Sequence, residues 1–254
     1  MRYVMKMKEY DAYIFDLYGT LIDIRTDEWK ACFWKKNQKL FSQYGADYQW
    51  EELRDAYFKT VGKKEEKMKE EGHHIEIDIA DVFCSLLYDK GTAADDETIG
   101  KIAEAFRKNS VCHIRLYAGA KDLLKTLHDL KKKVFLLSNA QELFTMKELK
   151  DLGISDLFDG IFISSACGYR KPDPAFMEAL IKRYDLDVKK CLMIGNDLYD
   201  DVGIADMTGM DSYYVEDALS SKRKTDSFAT YVQTGMDLSL LKKRIVTACK
   251  RNTR

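Results

Sequence analysis

The chain has 254 residues, 46% of them apolar and 33% charged, with 41 Lys and Arg against 42 Asp and Glu for a formal net charge of -1. That balance excludes a nucleic-acid or polyanion binder, whose affinity rests on clustered excess cations, and no apolar run approaches the ~18 residues that a membrane-spanning helix needs. The length suits one large domain, or a core with a smaller insertion, that buries its own apolar interior.

Residues 12–15 form the first short, fully apolar run. Asp16 stands at its tip and Gly19 follows, letting the backbone turn away. A carboxylate so placed suits a nucleophile or metal ligand as well as a turn cap. From 24 to 111 the sequence then reads as helices only, with Trp29, Phe33, Trp34, Leu40 and Phe41, then Leu53, Tyr57 and Phe58, then Ile79, Val82, Phe83, Leu86 and Leu87 at helical spacing. All three tryptophans lie in this stretch and are expected to fill its own core. The charge run at 63–71 alternates in sign, as an exposed helical face does. The expectation is an all-helical cap domain at 24–111 inserted between two parts of a core domain, 1–23 and 112–254.

Beyond the insertion, short apolar runs at 134–137, 160–163, 191–194 and 212–215 alternate with helical patterns that begin near Ala120, Gln141, Pro174 and Tyr199, and a last helix runs over 238–249. Runs this short, fully apolar and separated by amphipathic helices predict an α/β core with a doubly wound parallel sheet. The locally positive tail, Lys242, Lys243, Arg244, Lys250, Arg251 and Arg254, reads as a solvated last helix and a frayed end.

In an open parallel sheet, ligands bind outside the carboxyl ends of the strands, so the residues after each run matter most. Ser138 and Asn139 put a hydroxyl and an amide at a helix start, which serves as an anion corner or a plain cap. Pro172 and Pro174 are the only prolines in the chain, where an average usage of about 5% would give about a dozen. Pro172 disfavours helical geometry at Lys171, and Asp173 with Pro174 reads as an N-cap and a first-turn proline; the segment fixes Lys171 in a rigid loop. Asn196, Asp197, Asp200 and Asp201 crowd the end of the next run. Carboxylates at that density repel one another unless a cation compensates them, and hard oxygens suit Mg²⁺.

The four segments FDLYGTL at 15–21, LLSNA at 136–140, YRKPDP at 169–174 and MIGNDLYDD at 193–201 resemble, in order and placement, the four motifs of the haloacid dehalogenase superfamily, many of whose members insert a helical cap after the first motif. The resemblance implies a Rossmann-like hydrolase in which Asp16 is the nucleophile and forms a covalent aspartyl intermediate. It implies that Thr20, Ser138, Asn139 and Lys171 contact the substrate, with Lys171 neutralising charge on nucleophile and phosphate. Mg²⁺ would sit on one oxygen of Asp16, the carbonyl of Tyr18, and two members of the acid cluster: Asp201 with Asp197, or with Asn196 if the pair is spaced by five. Asp197 is favoured.

Tyr18 stands where the family's phosphatases carry a second aspartate as general acid and base, and where its 2-haloacid dehalogenases carry a tyrosine. The retained Asp197, Asp200 and Asp201 point the other way, toward a metal and a phosphate. So do Met177, where dehalogenases usually have a tyrosine, and the want of a counterpart to their halide-binding arginine, Arg25 lying too close to the first motif. The leading expectation is a Mg²⁺-dependent phosphatase acting on a small phosphomonoester. A 2-haloacid dehalogenase is the second reading, and a weakly active member that binds a phosphorylated ligand the third. Six cysteines, Cys32, Cys84, Cys112, Cys167, Cys191 and Cys249, have no metal-ligand spacing, and no signal-like segment opens the chain; a reducing, cytoplasmic setting is expected.

Overall fold

Four residues, Ala12–Phe15, are buried on both faces and form the central strand β1. In the computed structural model, which describes residues 6–70, 74–217, 219–223 and 225–252, β1 is followed by β2 (Ile22–Thr26), helices α1 (Ala31–Gln43), α2 (Trp50–Glu70), α3 (Ile79–Tyr88) and α4 (Asp96–Ser110), and β3 (Val111–Leu116). The chain continues through α5 (Ala120–Asp129), β4 (Lys133–Ser138), α6 (Glu142–Asp151), β5 (Gly160–Ile163), α7 (Ser164–Cys167), α8 (Pro174–Tyr184), β6 (Cys191–Gly195), α9 (Gly203–Thr208), β7 (Asp211–Glu216), β8 (Tyr231–Thr234) and α10 (Leu238–Asn252). Glu71 and Arg254 lie outside the described residues. No helix among those described is long and apolar enough to cross a membrane.

Six strands make one parallel sheet in the order β5-β4-β1-β6-β7-β8. Alternate side chains feed two cores. Tyr13, Phe15, Leu136 and Ile194 pack against α5 and α10 through Leu123, Leu127, Leu241 and Ile245. Ile14, Phe135, Leu137 and Met193 pack against α8 and α9 through Phe176, Met177, Leu180 and Ile204. Burial on both faces is what makes the middles of these strands apolar in sequence. The fold is the doubly wound, Rossmann-like core expected.

Helices α1 to α4 enclose a separate apolar cluster built on Phe33, Trp34, Phe41, Leu53, Phe83 and Phe106. Two expectations are corrected here. The stretch 24–111 is not helical throughout: its ends belong to an antiparallel ribbon in which β2 pairs with β3. Ile22, Asp23, Ile24 and Arg25 alternate apolar and polar as a half-buried strand does, and Ile22, Ile24, Ile114 and Leu116 pack against the core cluster of the sheet. Nor do all three tryptophans fill the helical core. Trp34 does, Trp50 packs at its margin, and Trp29 is 83% exposed, stacked on Phe58. Strand β8 also escaped the sequence reading, being a four-residue edge strand buried only at alternate positions.

Candidate active site

The chain walks from β1 outward to β4 and β5, then returns to β6 on the other side of β1. The reversal places the carboxyl ends of β4, β1 and β6 side by side, the crevice position for a ligand in such a sheet. A polar cavity of about 260 Å³ opens there, lined among others by Asp16, Tyr18, Arg170, Lys171 and Asn196.

Asp16 follows β1 directly and its amide donates to the Ile194 carbonyl of β6 (2.9 Å). In the turn beyond it, the amides of Thr20, Leu21 and Ile22 all donate to the Leu17 carbonyl, and that of Gly19 to Ile22. The Tyr18 carbonyl accepts none of these. Gly19 has φ +85°, and a Cβ there would fall 2.3 Å from the Asn196 amide nitrogen, so both conformation and space require glycine. Thr20 is buried; its hydroxyl donates to Asp16 Oδ2 (3.1 Å) and lies 3.4 Å from Asn196 Oδ1. Thr20, expected at the substrate, thus spends its hydroxyl on Asp16.

Lys171 is buried and reaches two carboxylates: its Nζ donates to Asp16 Oδ1 (2.7 Å) and Asp201 Oδ1 (2.6 Å). Burial alone would lower its pKa, but the two anions outweigh burial and hold it above the ordinary lysine value. The loop around it is held on both sides. Asp173 caps α8, accepting from Ala175 N (3.0 Å) with Pro174 in the first turn, and Asn139 clasps the main chain of Lys171, accepting from its N (2.7 Å) and donating to its O (3.1 Å). The Lys171–Pro172 peptide is cis. Asn139, expected to hold substrate, therefore spends its amide on the lysine. Ser138 ends β4, and its buried hydroxyl has no hydrogen-bond partner. Its hydroxyl is thus left over by the fold, one residue from Asn139 of the cavity wall.

The acid cluster divides in two. A Cβ on Gly195 would lie 2.1 Å from Asp201 Oδ2, so only glycine lets Asp201 fold back onto Lys171. Asp201 Oδ2 also accepts from Asp197 N (2.9 Å). Burial raises the pKa of Asp201 and Lys171 opposes the rise. Asp197 turns elsewhere: its Oδ1 accepts from the amides of Tyr199 (2.8 Å) and Asp200 (2.9 Å), capping a π-helical turn at Leu198–Val202. Its Oδ2 meets Arg223 (3.2 Å), which also pairs with Asp200 Oδ2 (2.5 Å) and lies over the Tyr199 ring. Asp197, favoured as a metal ligand, is thus occupied, and Asn196 is the residue of the pair that faces Asp16, through Thr20. No three His, Cys, Asp or Glu side chains among the described residues converge as a metal cluster. The donors at the crevice are nevertheless all hard oxygens, from Asp16, Asn196 and the Tyr18 carbonyl, a chemistry that fits Mg²⁺.

The Tyr18 side chain, expected among the catalytic residues, is engaged by α6 rather than by Asp16. Its hydroxyl donates to Glu148 Oε2 of α6 (2.5 Å) and lies 3.1 Å from Thr145 Oγ1. Arg107 at the end of α4 donates to Glu148 Oε1 (2.7 Å) and stacks over the Tyr18 ring. Burial of the phenol, and then Glu148, push its pKa up.

The helical unit meets the sheet unit along the segment between α2 and α3. Arg170 N donates to His74 O (2.7 Å), Glu76 N to Gly168 O (3.2 Å), Ser164 Oγ to Glu76 Oε2 (3.0 Å), and Gln141 binds Ile77 O and Ile79 N (both 2.8 Å). Glu148, Arg107, Arg223 and Glu76 went unnoticed in the sequence because each meets its site partner only in the fold, Tyr18 and Glu148 being 130 residues apart.

A family model described as haloacid dehalogenase-like hydrolase matches residues 10–207. The chain is 26% identical over 106 residues to a glyceraldehyde 3-phosphate phosphatase of Pyrococcus abyssi, spanning 42% of the chain and 44% of that protein, so under half of the relative is matched. It is 25% identical over 214 residues to the HAD-hydrolase YfnB of Bacillus subtilis, spanning 82% of the chain and 85% of YfnB. The crystal structure of YfnB bound to magnesium superposes with a TM-score of 0.56 at 21% identity, covering 94% and 99% of the two chains. That of the L-2-haloacid dehalogenase PA0810 superposes with a TM-score of 0.57 at 17% identity, covering 95% and 100%.

Proposed function

Since the chain belongs to the haloacid dehalogenase-like hydrolases, we propose that it is a Mg²⁺-dependent phosphatase that hydrolyses a small phosphomonoester through a phosphoryl group held covalently on Asp16. The observation that carries this reading is the buried Lys171, whose ammonium bridges Asp16 and Asp201 at the cavity wall: a fixed cation beside a carboxylate suits the attack of one anion on another. The phosphatase names among its relatives agree with it.

In this mechanism an Asp16 oxygen attacks phosphorus as the bond to the leaving oxygen breaks, and water then attacks the phosphoryl group and returns the free carboxylate. Lys171 neutralises charge on nucleophile and phosphoryl oxygens, and Ser138 donates to one of those oxygens. Thr20 and Asn139 act one step back, on Asp16 and on Lys171. Asp16, the Tyr18 carbonyl and Asn196 would hold Mg²⁺, with Asp201 close by through Lys171. When bound, the ion shields the approach of one anion to another.

We assign residues 24–111 as a cap over a core of 1–23 and 112–254; its separate apolar cluster and its docking beside Lys171 support that division. A cap so placed excludes water during the reaction. Six free cysteines agree with a reducing, cytoplasmic setting.

Tyr18 and the neutral Asn196 favour a second reading, a metal-independent 2-haloacid dehalogenase. A panel of phosphoesters and 2-haloacids, run with Mg²⁺ and with a chelator, separates the two. Phosphate release that needs Mg²⁺ and disappears in Asp16→Asn is expected. Halide release in chelator without any phosphate release would replace the first reading with the second, and neither activity would leave a phospho-ligand binding role.

A further inference from the structure

We propose that the leaving group departs without a proton from the protein, so that the site takes phosphoryl groups carried on weakly basic oxygens, as in acyl phosphates and phosphoanhydrides, rather than simple alkyl phosphates. This rests on the phosphatase reading and narrows its substrate class.

The support comes from the described groups that line the cavity. An alkyl phosphate releases a strongly basic alkoxide, and a positioned general acid typically speeds such a step by about 10²–10⁴-fold. The Tyr18 hydroxyl, nearest the nucleophile in sequence, is committed to Glu148 and Thr145 on α6. Asp201 faces Lys171 and the Asp197 amide. Asp197 accepts from two amides and Arg223, and Asp200 is paired with the same arginine. Lys171 holds two carboxylates, and Arg170 carries a guanidinium, which does not give up its proton. The remaining lining side chains among the described residues are two amides and Leu219. Among the described residues, every acid that lines the cavity is held by a partner, and none is free to turn toward a leaving oxygen.

The steps balance without one. The Asp16 oxygen-to-phosphorus bond forms while the bond to the leaving oxygen breaks, and the electron pair departs on a carboxylate or phosphate that is stable unprotonated at neutral pH. Water then attacks phosphorus, the Asp16 bond breaks, and the proton of the water passes to the released phosphate or to solvent.

The test is kcat/KM of the full chain with excess Mg²⁺ on acetyl, p-nitrophenyl, phenyl and ethyl phosphate, a ladder of rising leaving-group basicity. The expected result is a steep fall along the ladder, with ethyl phosphate slower than p-nitrophenyl phosphate by at least about 10²-fold, the lower end of what a general acid supplies. Tyr18→Phe should keep that fall, and Tyr18→Asp should rescue ethyl phosphate selectively. Ethyl and p-nitrophenyl phosphate cleaved at similar rates by the unaltered chain would overturn the inference, whatever the variants do, while leaving the phosphatase reading intact. Turnover of no phosphate on the ladder would overturn both.

Discussion

Asp16, Lys171 and Asp201 could be read from the sequence because each follows a strand whose own residues announce it, and the sheet delivers all three to one edge. What could not be read is how the neighbours divide the work. Thr20 and Asn139 are polar residues beside Asp16 and Lys171, and nothing in their identity says that their side chains bind those two residues. Asp197 and Asn196 were separable only by direction, and the direction is set by a π-helical turn whose amides claim Asp197. Gly195 is the quietest of these residues and one of the most constrained. Its missing side chain is the space that Asp201 occupies, and Asp201 cannot yield because Lys171 and the Asp197 amide pin both of its oxygens. Gly195→Ala should cost about 1–3 kcal/mol, as overpacking does, and lower kcat/KM by about 10²-fold through a displaced lysine. Urea denaturation and kinetics on a p-nitrophenyl ester measure the two effects separately.

Among the elements, the central strands were legible because burial on both faces leaves their middles apolar, the polar Lys133 and Ser138 standing only at the ends of β4. The ribbon of β2 and β3 was not, since its halves lie on either side of four helices and neither is apolar throughout. The join between α4 and α6 was equally hidden. There Arg107 and Glu148 form an ion pair with side chains only 17% and 11% exposed, capped by the Tyr18 hydroxyl. Removing one partner of such a pair leaves an uncompensated charge, at a typical cost of 3–5 kcal/mol. Arg107→Met should therefore destabilise by about 3 kcal/mol, toward the low end because Tyr18 still serves Glu148. Adding Glu148→Gln should recover part of the loss, the amide accepting from Tyr18 without a buried charge. Guanidinium denaturation of the single and double variants checks the sign of the coupling.

For the whole molecule, the spacing of strand-like runs was enough to predict the sheet and the insertion, but not how the inserted helices dock. That contact is largely main chain: Gln141, at the head of α6, leaves its own helix uncapped and binds the backbone of Ile77 and Ile79 instead. Gln141→Ala should weaken this docking by about 1–3 kcal/mol, or roughly 5–150-fold in a local opening equilibrium. Hydrogen exchange at the Glu76 and Ile79 amides should accelerate accordingly while exchange in β1 does not. The position of β1 at the centre of the sheet also bears on how the molecule is made. The Thr20–Asn196 contact joins residues 176 apart, so the strand that carries Asp16 leaves the ribosome long before β6 exists to flank it. At about 5–20 residues per second of synthesis, that interval is roughly 10–35 s. For that time an apolar strand has at least one edge unpaired, the condition under which nascent chains associate wrongly. A long helical insertion thus sets a waiting time in biosynthesis as well as a wall beside the site.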